Sequence, residues 1–448
     1  MSDLLSIGAS GLRAYQTALT TVSDNIANAD TPGYARRSTT LSEVASTPGV
    51  NSNARTTTGN GVIVTGTARA ADPLRASAVR SASADLARTE SSVSYLERIE
   101  SALAGSQLAS QLAGFFNAAK SVAADPGAST PRAQLVEAGR SVATAFASTG
   151  RALDQVGADI DSGAESAVGE LNALATSLAR VNNGLGRASA GSTGQAQLLD
   201  QRDQLLDKLS AITDVNVALD EAGRAAVRIG GAAGGVLVAG TEAGSVTYVR
   251  SASGTVSFSL LRAGTSNAIT PSGGALSGIA EAATKVSGTR NEINRIAGDF
   301  ASGVNAVQAQ GRDLDGNPGA ALFATGSSAT DISVVIASPR GVAAAAVGEG
   351  PRGNGNLAAL QALRTSGGFE QATTGLIADN AATLAGRRTV ADAQSAIRDG
   401  AVTARDNASG VNLDSEAVEL LRFQQAYQAS ARVIQVARDS LQTLLDIR

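Results

Sequence analysis

Cysteine, histidine and tryptophan are absent from this chain of 448 residues. Enzyme mechanisms that need a histidine base or a cysteine nucleophile, and zinc sites built from Cys and His, are therefore excluded. Without cysteine there are no disulfides, so cysteine pairing says nothing about the redox compartment. Aromatic residues make up only 3% of the chain. We therefore expect cores of Ala, Leu, Val and Ile, which suit close helix packing better than a large β-sandwich.

Lysine is also scarce, since it occurs only at Lys120, Lys208 and Lys285, and the net charge is -4. A chain without a basic field is a poor binder of phosphates, so we expect no nucleic-acid partner. The longest apolar run, 342–347, is six residues and mostly alanine, which predicts no membrane insertion. The opening MSDLLSIGAS lacks a basic region followed by an apolar core, so we also expect no cleaved secretory signal.

The C-terminal stretch 409–448 carries the clearest helical pattern. Asn412, Asp414 and Ser415 are candidate N-cap residues, and a helix from there to the end would be about 50 Å long. An element of that length requires a long partner to cover its apolar face. The apolar or small residues that recur at three- and four-residue steps on this face are Ala417, Leu420, Tyr427, Ala431, Ile434, Ala437, Leu441 and Leu444.

The partner is expected at the other end of the chain, where a heptad pattern typical of a coiled coil runs from Leu5 to Ala29. Periodicity alone fits equally well with a helical bundle whose ends happen to pack. The residues predicted to form the assembly seam, by which the terminal helices pair and contact other subunits, are Leu5, Leu12, Tyr15, Leu19, Val22 and Ile26 in the first helix and Leu420, Tyr427, Ile434, Leu441 and Leu444 in the last.

Between the two ends, the pattern changes from helical to β and back. Residues 76–212 have helical periodicity, short β-branched runs separated by Gly and Asp follow from 214, and helical patterns return at 275–310 and from about 357. The predicted fold is mainly α with inserted β: a terminal coiled coil, a long helical bundle and a small antiparallel β domain at the far end. The predicted domains are 1–33 plus 409–448 for the terminal coiled coil, 34–212 plus 275–310 and 353–408 for the helical rod, and 213–274 plus 311–352 for the β-rich outer domain.

Carboxylates are the only conventional acid/base groups left. Asp200 with Asp203, or Asp154 with Asp159, could be imagined as a glycosidase couple. All four lie in polar helix stripes, where solvated charges paired with Arg or Lys are the usual explanation. A calcium-loop-like segment at 313–324 has Pro318 where glycine is needed. We therefore predict no catalytic, cofactor or metal site.

The amino-acid sequences of both ends resemble those of a known group of proteins. SIGASGLRAYQTALTTVSDNIANADTPGYARR near the start and SGVNLDSEAVELLRFQQAYQASARVIQVARDSLQTLL near the end resemble the flagellar rod, hook and hook-associated proteins. The interior LLDQRDQLLDKLS is similar to the FlgK family among them. The turn that ends the first heptad run resembles the signature shared by these axial proteins, and its residues are Asn28, Thr31, Pro32, Gly33 and Tyr34.

The resemblance implies a structural subunit rather than an enzyme. It implies a ring of subunits at the hook–filament junction, extracellular and exported without a cleaved signal. The implied partners are other copies of the chain, hook protein, the next hook-associated protein and an export chaperone. Two alternatives remain open: another axial protein, such as hook protein or a flagellin-like junction protein, and a carboxylate-based wall hydrolase.

Overall fold

Helices dominate the computed structural model, which describes residues 2–44, 61–231 and 233–446. The predicted mainly-α fold with inserted β structure is confirmed. In chain order the helices are α1 (Ser2–Ala27), α2 (Pro73–Gly105), α3 (Leu108–Ala124), α4 (Ser129–Leu185), α5 (Thr193–Ile212), α6 (Gly274–Gln310), α7 (Gly355–Gly367), α8 (Phe369–Ser409) and α9 (Leu413–Asp446).

All described strand pairs are antiparallel. β1 and β2 form a hairpin, β3 to β6 form a four-stranded sheet in chain order, β7 to β9 form a three-stranded sheet, and β10 pairs with β11. The strands are β1 (Arg37–Glu43), β2 (Val62–Arg69), β3 (Val215–Leu219), β4 (Ala225–Ile229), β5 (Gly235–Ala239), β6 (Glu242–Ala243), β7 (Ser245–Arg250), β8 (Val256–Arg262), β9 (Thr265–Ile269), β10 (Phe323–Ala324) and β11 (Ser333–Val334).

The body of the molecule is a bundle in which α2 packs against α4, α6 and α8. The longest member is α4, whose 57 residues span about 85 Å. Its inward face follows a three/four spacing, so a single stripe stays buried along the length of the bundle. The buried residues of this stripe include Leu153, Val156, Ile160, Ala164, Val168, Leu171, Ala175 and Leu178.

One end of the bundle, here called the proximal end, contacts the turn that follows α1 and the β1–β2 hairpin. The start of α2 is fixed there by Asp72, whose carboxylate accepts the backbone N–H groups of Leu74 and Arg75, with Pro73 at the first helical position. The last turns of α8 meet the same end, because Arg75 Nη1 donates to the carbonyl of Ala404 at 2.6 Å. The other end of the bundle is called distal.

Six of the eight phenylalanines are collected in one cluster at the distal end. Phe300 of α6 lies at its centre, with ring centroids 5.3 Å from both Phe115 and Phe323 and 5.5 Å from Phe369. Edge-on ring pairs of this kind stabilise by about 0.5–1.5 kcal/mol beyond the area that they bury. The cluster joins α3, α4, α6, α8 and β10, and its members are Phe115, Phe116, Phe146, Phe300, Phe323 and Phe369.

The two β segments pack on different parts of α4. Asn182 donates to the carbonyl of Ala225 at 2.8 Å, whereas Arg132, near the start of α4, donates to the carbonyl of Val342 at 2.6 Å. The segment 213–274 therefore flanks the proximal half of the bundle, and 311–352 flanks the distal half.

This arrangement differs from the expectation of one outer β domain far from the chain ends. β3 follows α5 after a short turn, and α5 itself packs near the proximal end. The larger β module thus begins near the proximal end, because β3 borders the same cleft of about 920 Å³ as the Pro32–Gly33 turn. Periodicity gives the order of elements along the chain but not the end of a bundle at which an insertion emerges.

Replacing Phe300 with Ala should lower the free energy of unfolding by about 3–5 kcal/mol, because the fully buried ring leaves a cavity among four elements. Urea denaturation followed by circular dichroism measures this. Val347→Ala, at a side chain that is 68% exposed, is the control and should change stability by about 0.5 kcal/mol or less. Equal losses in both variants would contradict the central role of the ring.

Candidate functional site

The first and last helices pack antiparallel along each other. Tyr15 lies opposite Phe423, with ring centroids 6.3 Å apart, and Gly8 lies against Ile434 nearer the start of α1. A Cβ built on Gly8 would come within 2.6 Å of Ile434 Cγ1, and one on Gly11 within 2.8 Å of Ser430 Oγ. The predicted partner of the last helix is therefore found, and glycine allows an unusually close approach.

Small residues line the contact itself. On α1 the buried positions recur at seven-residue steps as Gly11, Ala18 and Asn25, and they face the row of α9 that contains Glu416, Phe423 and Ser430. Ala14, Thr21 and Val22 are also buried, and the Thr21 hydroxyl accepts that of Thr39 in β1 at 2.9 Å, so the hairpin covers part of α1. Leu12 and Leu19 each follow a contact residue directly in the chain, so the leucine row lies about 100° round the helix from the closest contact.

The leucine row of α1 that was predicted for the seam thus flanks the contact, whereas Val22 is buried and Tyr15 and Ile434 touch the partner helix. Packing explains this, because leucine side chains between the two axes would hold the helices apart. Within the predicted set Val22 is buried, Ile26 and Tyr427 are 37% exposed and Leu441 is 40% exposed. Leu5, Leu12, Tyr15, Leu19, Leu420 and Ile434 are half-buried, and the side chain of Leu444 lies outside the described residues.

The proximal end of the pair closes on a buried polar junction centred on Asn25. Its Nδ2 donates to Glu416 Oε2 at 2.9 Å and to the carbonyl of Arg37 at 2.8 Å. Its Oδ1 accepts the Arg37 backbone N–H at 3.0 Å and the Tyr34 hydroxyl at 2.9 Å. Asn25 and Glu416 are both 0% exposed. Both polar atoms of the Asn25 amide are thus fully paired, and such buried pairing fixes the geometry of the side chain.

Two consecutive arginines, Arg36 and Arg37, connect this junction to α9 on one side and to α5 on the other. Arg36 Nε donates to Glu416 Oε1 at 2.6 Å, which neutralises the buried carboxylate of α9. Arg37 Nη2 donates to Asp200 Oδ2 of α5 at 2.8 Å. Because successive side chains of an extended chain point to opposite sides, this dipeptide joins the helix pair to the bundle.

Asp200 is buried, and it does not lie in the solvated stripe that its helix periodicity predicted. Its second oxygen accepts Arg69 Nε at 2.6 Å, and Arg69 also pairs with Asp203 at 2.8 Å. One turn further along α5, Asp207 pairs with Arg405 at 2.9 Å. The LLDQRDQLLDKLS motif therefore supplies three aspartates, three and four residues apart, that bind arginines from the hairpin and from α8.

Burial raises the pKa of Asp207, and the guanidinium groups of Arg405 and Arg80 partly offset this rise. Burial likewise lowers the pKa of Arg80, opposed by Asp207 and Asp203. A raised pKa means that the charged carboxylate is less stable in the folded chain than in the unfolded chain. The contribution of Asp207 to stability therefore increases as the pH falls through its folded pKa.

The signature turn lies directly over this junction. The Tyr34 backbone N–H donates to the carbonyl of Thr31 at 3.1 Å, and the Thr31 hydroxyl donates to Asn28 Oδ1 at 3.3 Å. Gly33 has φ +76°, a conformation that favours glycine, and the Pro32 carbonyl accepts Gln204 Nε2 at 2.9 Å. The turn is thus held by its own residues and by α5, and burial raises the pKa of Tyr34.

Sequence reasoning missed Asn25, Arg36, Arg37, Asp200 and Glu416 as members of one site. A signal was present in the apolar face of α1, where the contact row Gly11, Ala18 is interrupted by a single polar residue, Asn25. Among the described residues, no cluster of three or more acidic side chains is placed to hold a metal ion. Over the same residues, none of the helices is long and apolar enough to cross a membrane.

Comparison with known proteins matches more than half of the chain, residues 93–323, to the model of the flagellar hook-associated protein FlgK helical domain. The chain belongs to the FlgK family. Residues 5–34 of this FlgK-family chain also match the flagella basal body rod protein model, and 403–447 match the flagellar basal body rod FlgEFG protein C-terminal model. The last two matches cover the paired helices and the signature turn. The family membership predicted from the sequence motifs is confirmed.

Flagellar hook-associated protein 1 of Salmonella typhimurium (strain LT2) is 27% identical over 338 residues, 73% of this chain and 60% of that protein. Its namesake from Escherichia coli (strain K12) is 28% identical over 227 residues, 50% of this chain and 41% of that protein. The FlgK-family chain thus spans about 60% or less of the length of these relatives. The structure of the flagellar hook junction protein FlgK from Burkholderia pseudomallei matches the fold with a TM-score of 0.51 and 24% identity, covering 56% of this chain and 47% of that one.

Asp200→Asn should lower the free energy of unfolding by about 3–5 kcal/mol, because Arg37 and Arg69 keep buried charges without their carboxylate. Asp299→Asn is the matched control, since its ion pair with Arg295 is more than half exposed and contributes about 1 kcal/mol or less. Urea denaturation of both variants measures the difference. A loss at Asp200 no larger than that at Asp299 would contradict the structural role of the junction.

Proposed function

We propose that the chain is a structural subunit of the bacterial flagellum, an adaptor at the hook–filament junction outside the cell. In this proposal the subunits form a ring, with hook protein on one side and the next hook-associated protein on the other. Membership of the FlgK family supports it, as do the names of the relatives and of the solved neighbour. Because the chain spans only part of those relatives, the role of the whole protein is inferred from theirs.

One observation carries the assembly role: large apolar side chains remain half-exposed along one edge of the terminal helix pair. On α1, Gly8 and Tyr15 lie on the side of the helix that carries the leucine row. Gly8 contacts Ile434, which on α9 is in one row with Leu420 and Tyr427. The leucine row of α1 and this row of α9 therefore lie along the same edge of the helix pair. An apolar edge of two long helices buries little surface in one chain and more between neighbouring subunits.

The outer surface of α9 supports the same interpretation. Val418, Leu421 and Val436 are between 58% and 65% exposed, although a helix with only one partner normally shows polar residues there. We infer that other copies, or the neighbouring axial proteins, cover this surface on assembly. The terminal pair would gain most of its burial in the flagellum and little of it in the free subunit.

We further propose that 1–33 with 409–448 acts as the assembly domain and that the helical and β regions form the outer body. The resemblance also suggests export through the flagellar type III channel and an export chaperone as a transient partner. The exposed apolar surface of α9 is a feature that a chaperone would protect before assembly. Pull-down of a purified chaperone with and without residues 413–446 would test that part separately.

Another axial protein of the flagellum remains the main alternative. The match of residues 93–323 to the FlgK helical domain favours the junction role over that of hook protein. Stoichiometry separates the two, because a junction protein forms a short ring whereas hook or filament protein polymerises without limit. Quantitative mass spectrometry of purified hook–filament preparations should give a copy number far below that of hook protein. A copy number close to that of hook protein would contradict the junction assignment.

A wall hydrolase is disfavoured by the surroundings of the carboxylates. Asp200 and Asp203 bind arginines, Asp154 pairs with Arg290 at 2.8 Å and Asp159 with Arg98 at 2.6 Å. A general acid needs a carboxyl that is free to exchange its proton with substrate. Clearing of a peptidoglycan suspension that is lost with one Asp→Asn variant would overturn the non-enzymatic proposal.

Leu19→Asp should abolish filament growth while the bundle stays folded, because a charge in the half-exposed row prevents subunit packing and leaves the core untouched. Ile434→Asp should act in the same way and also weaken the contact with Gly8. Motility of a strain that carries only the variant measures the effect, and circular dichroism of the purified chain checks the fold. Gln16→Asp, at an exposed polar position one turn away on α1, is the control and should be motile. Normal motility of Leu19→Asp would contradict the proposal.

A further inference from the structure

The contact between α1 and α9 contains few features that distinguish one register from another. Gly11 faces Ser430, and Ala18 lies one heptad further along. If α9 slipped by seven residues, Gly11 would face Ala437 in one direction and Phe423 in the other. In the first direction the exchanges along this row are small for small, Gly11 with Ala437 and Ala18 with Ser430, and they leave the helix spacing unchanged. The row of small residues alone therefore discriminates weakly between registers, and the apolar contacts that do depend on register are Ile434 against Gly8 and Tyr15 against Phe423.

The exception is the polar pair at the proximal end. Glu416 is fully buried, and its two oxygens accept Asn25 Nδ2 at 2.9 Å and Arg36 Nε at 2.6 Å. A slip in one direction would place Glu416 against Ala18, with a buried charge and no donor. A slip in the other direction would place Asn25 against Phe423 and carry Glu416 past the end of α1. A buried charge that loses its partners costs several kcal/mol.

Asn25 is itself fixed by the chain that follows it. It bonds both backbone polar groups of Arg37 and the hydroxyl of Tyr34, and Arg37 is paired with Asp200 of the bundle. The position of Asn25 along α1 is therefore tied to the bundle independently of α9. The start of α9 is held close to that point by the 2.8 Å bond from the Arg36 N–H to the Ser409 carbonyl, so a slip must be absorbed by 410–412 and the first turn of α9. Glu416 lies in that turn and aligns α9 to the fixed point.

We propose that Asn25 and Glu416 set the register of the terminal helix pair. Burying these two polar side chains costs free energy, and only the observed register offsets that cost by pairing them. A single buried polar residue specifies the register of a coiled coil in the same way. A slip of one heptad moves α9 by about 10.5 Å along α1, which would misalign the flanking apolar rows. The inference is about the free chain and is tested there, so it stands or falls separately from the flagellar role.

The absence of cysteine makes the register directly measurable by disulfide trapping. A Cβ built on Gly11 lies 3.4 Å from Ser430 Cβ, close to the spacing of Cβ atoms in a disulfide. Gly11→Cys with Ser430→Cys therefore reports the observed register. Gly11→Cys with Ala437→Cys, one heptad away, reports a slipped one, and Gly11→Cys with Phe423→Cys reports the slip in the other direction. Bond formation within one chain is read from the gel mobility of the unreduced protein.

In the otherwise unchanged chain, only the Gly11–Ser430 pair should cross-link efficiently. Adding Glu416→Leu should raise the ratio of slipped to native cross-links about tenfold or more, because no buried charge then penalises the slip. Glu416→Gln keeps an acceptor for Asn25 and should stay close to the native ratio. Gln424→Leu, an exposed position on the same helix, adds the same apolar side chain and should leave the ratio unchanged.

Native-only cross-linking with Glu416→Leu would overturn the proposal, since apolar packing would then set the register. The variant Asn25→Ala with Glu416→Leu removes both partners and should give at least as much slipped product. Loss of every cross-link in these variants would also contradict the proposal, because it requires the small-residue contact to hold the helices together in either register. If Gln424→Leu raised the ratio of slipped to native cross-links as much as Glu416→Leu does, the added apolar surface would explain the effect and the proposal would be wrong.

Discussion

Two buried carboxylates, Glu416 and Asp200, determine how this molecule is put together. Each would be costly to bury alone, and each is neutralised by one of two adjacent arginines, Arg36 and Arg37. The dipeptide leaves the signature turn in an extended conformation, so its side chains reach α9 on one side and α5 on the other. The position of the terminal helices relative to the bundle depends on this arrangement.

The nested order of the chain follows from the same junction. The chain leaves the terminal pair through the turn and hairpin, builds the antiparallel bundle and returns along α8. Arg405 of that last bundle helix pairs with Asp207 of α5, and the Arg36 N–H bonds the Ser409 carbonyl at 2.8 Å. Both chain segments that connect the terminal helix pair to the bundle are thus held by bonds close to the ends of α1 and α9. Close packing of glycine and alanine then brings α1 and α9 together and leaves the larger side chains at the edge, available to other subunits.

The long helices and their pairing were predictable from sequence, because the three/four spacing in α4, α6 and α9 is uninterrupted over many turns. The contact row of α1 was not. Leu5, Leu12 and Leu19 dominate any hydrophobicity pattern, whereas Gly11 and Ala18 are apolar too weakly to stand out, although their size decides how near α9 can come. The signature turn was located correctly from its Pro-Gly pair.

The buried state of Asp200 was hidden for a different reason. Its partners Arg37 and Arg69 lie 163 and 131 positions away in the chain, and helix periodicity assigns an aspartate in a polar stripe to solvent. The location of the larger β module was equally inaccessible, because it depends on the end of the bundle where α5 packs. Charges that meet over such separations are set by tertiary structure, which a pattern along one helix does not contain.

Hydrogen exchange of the purified, unassembled chain tests the central claim most directly. If the polar junction fixes the terminal pair to the bundle, amides of α1 and α9 near Asn25 and Glu416 should be protected almost as well as the bundle. Protection should decline along α9 toward its C-terminal end, whereas α1 is also covered by the hairpin as far as Ser10, whose Oγ accepts the Val62 N–H at 3.1 Å. Rapid exchange throughout both helices would contradict the account, since the junction would then form only after assembly.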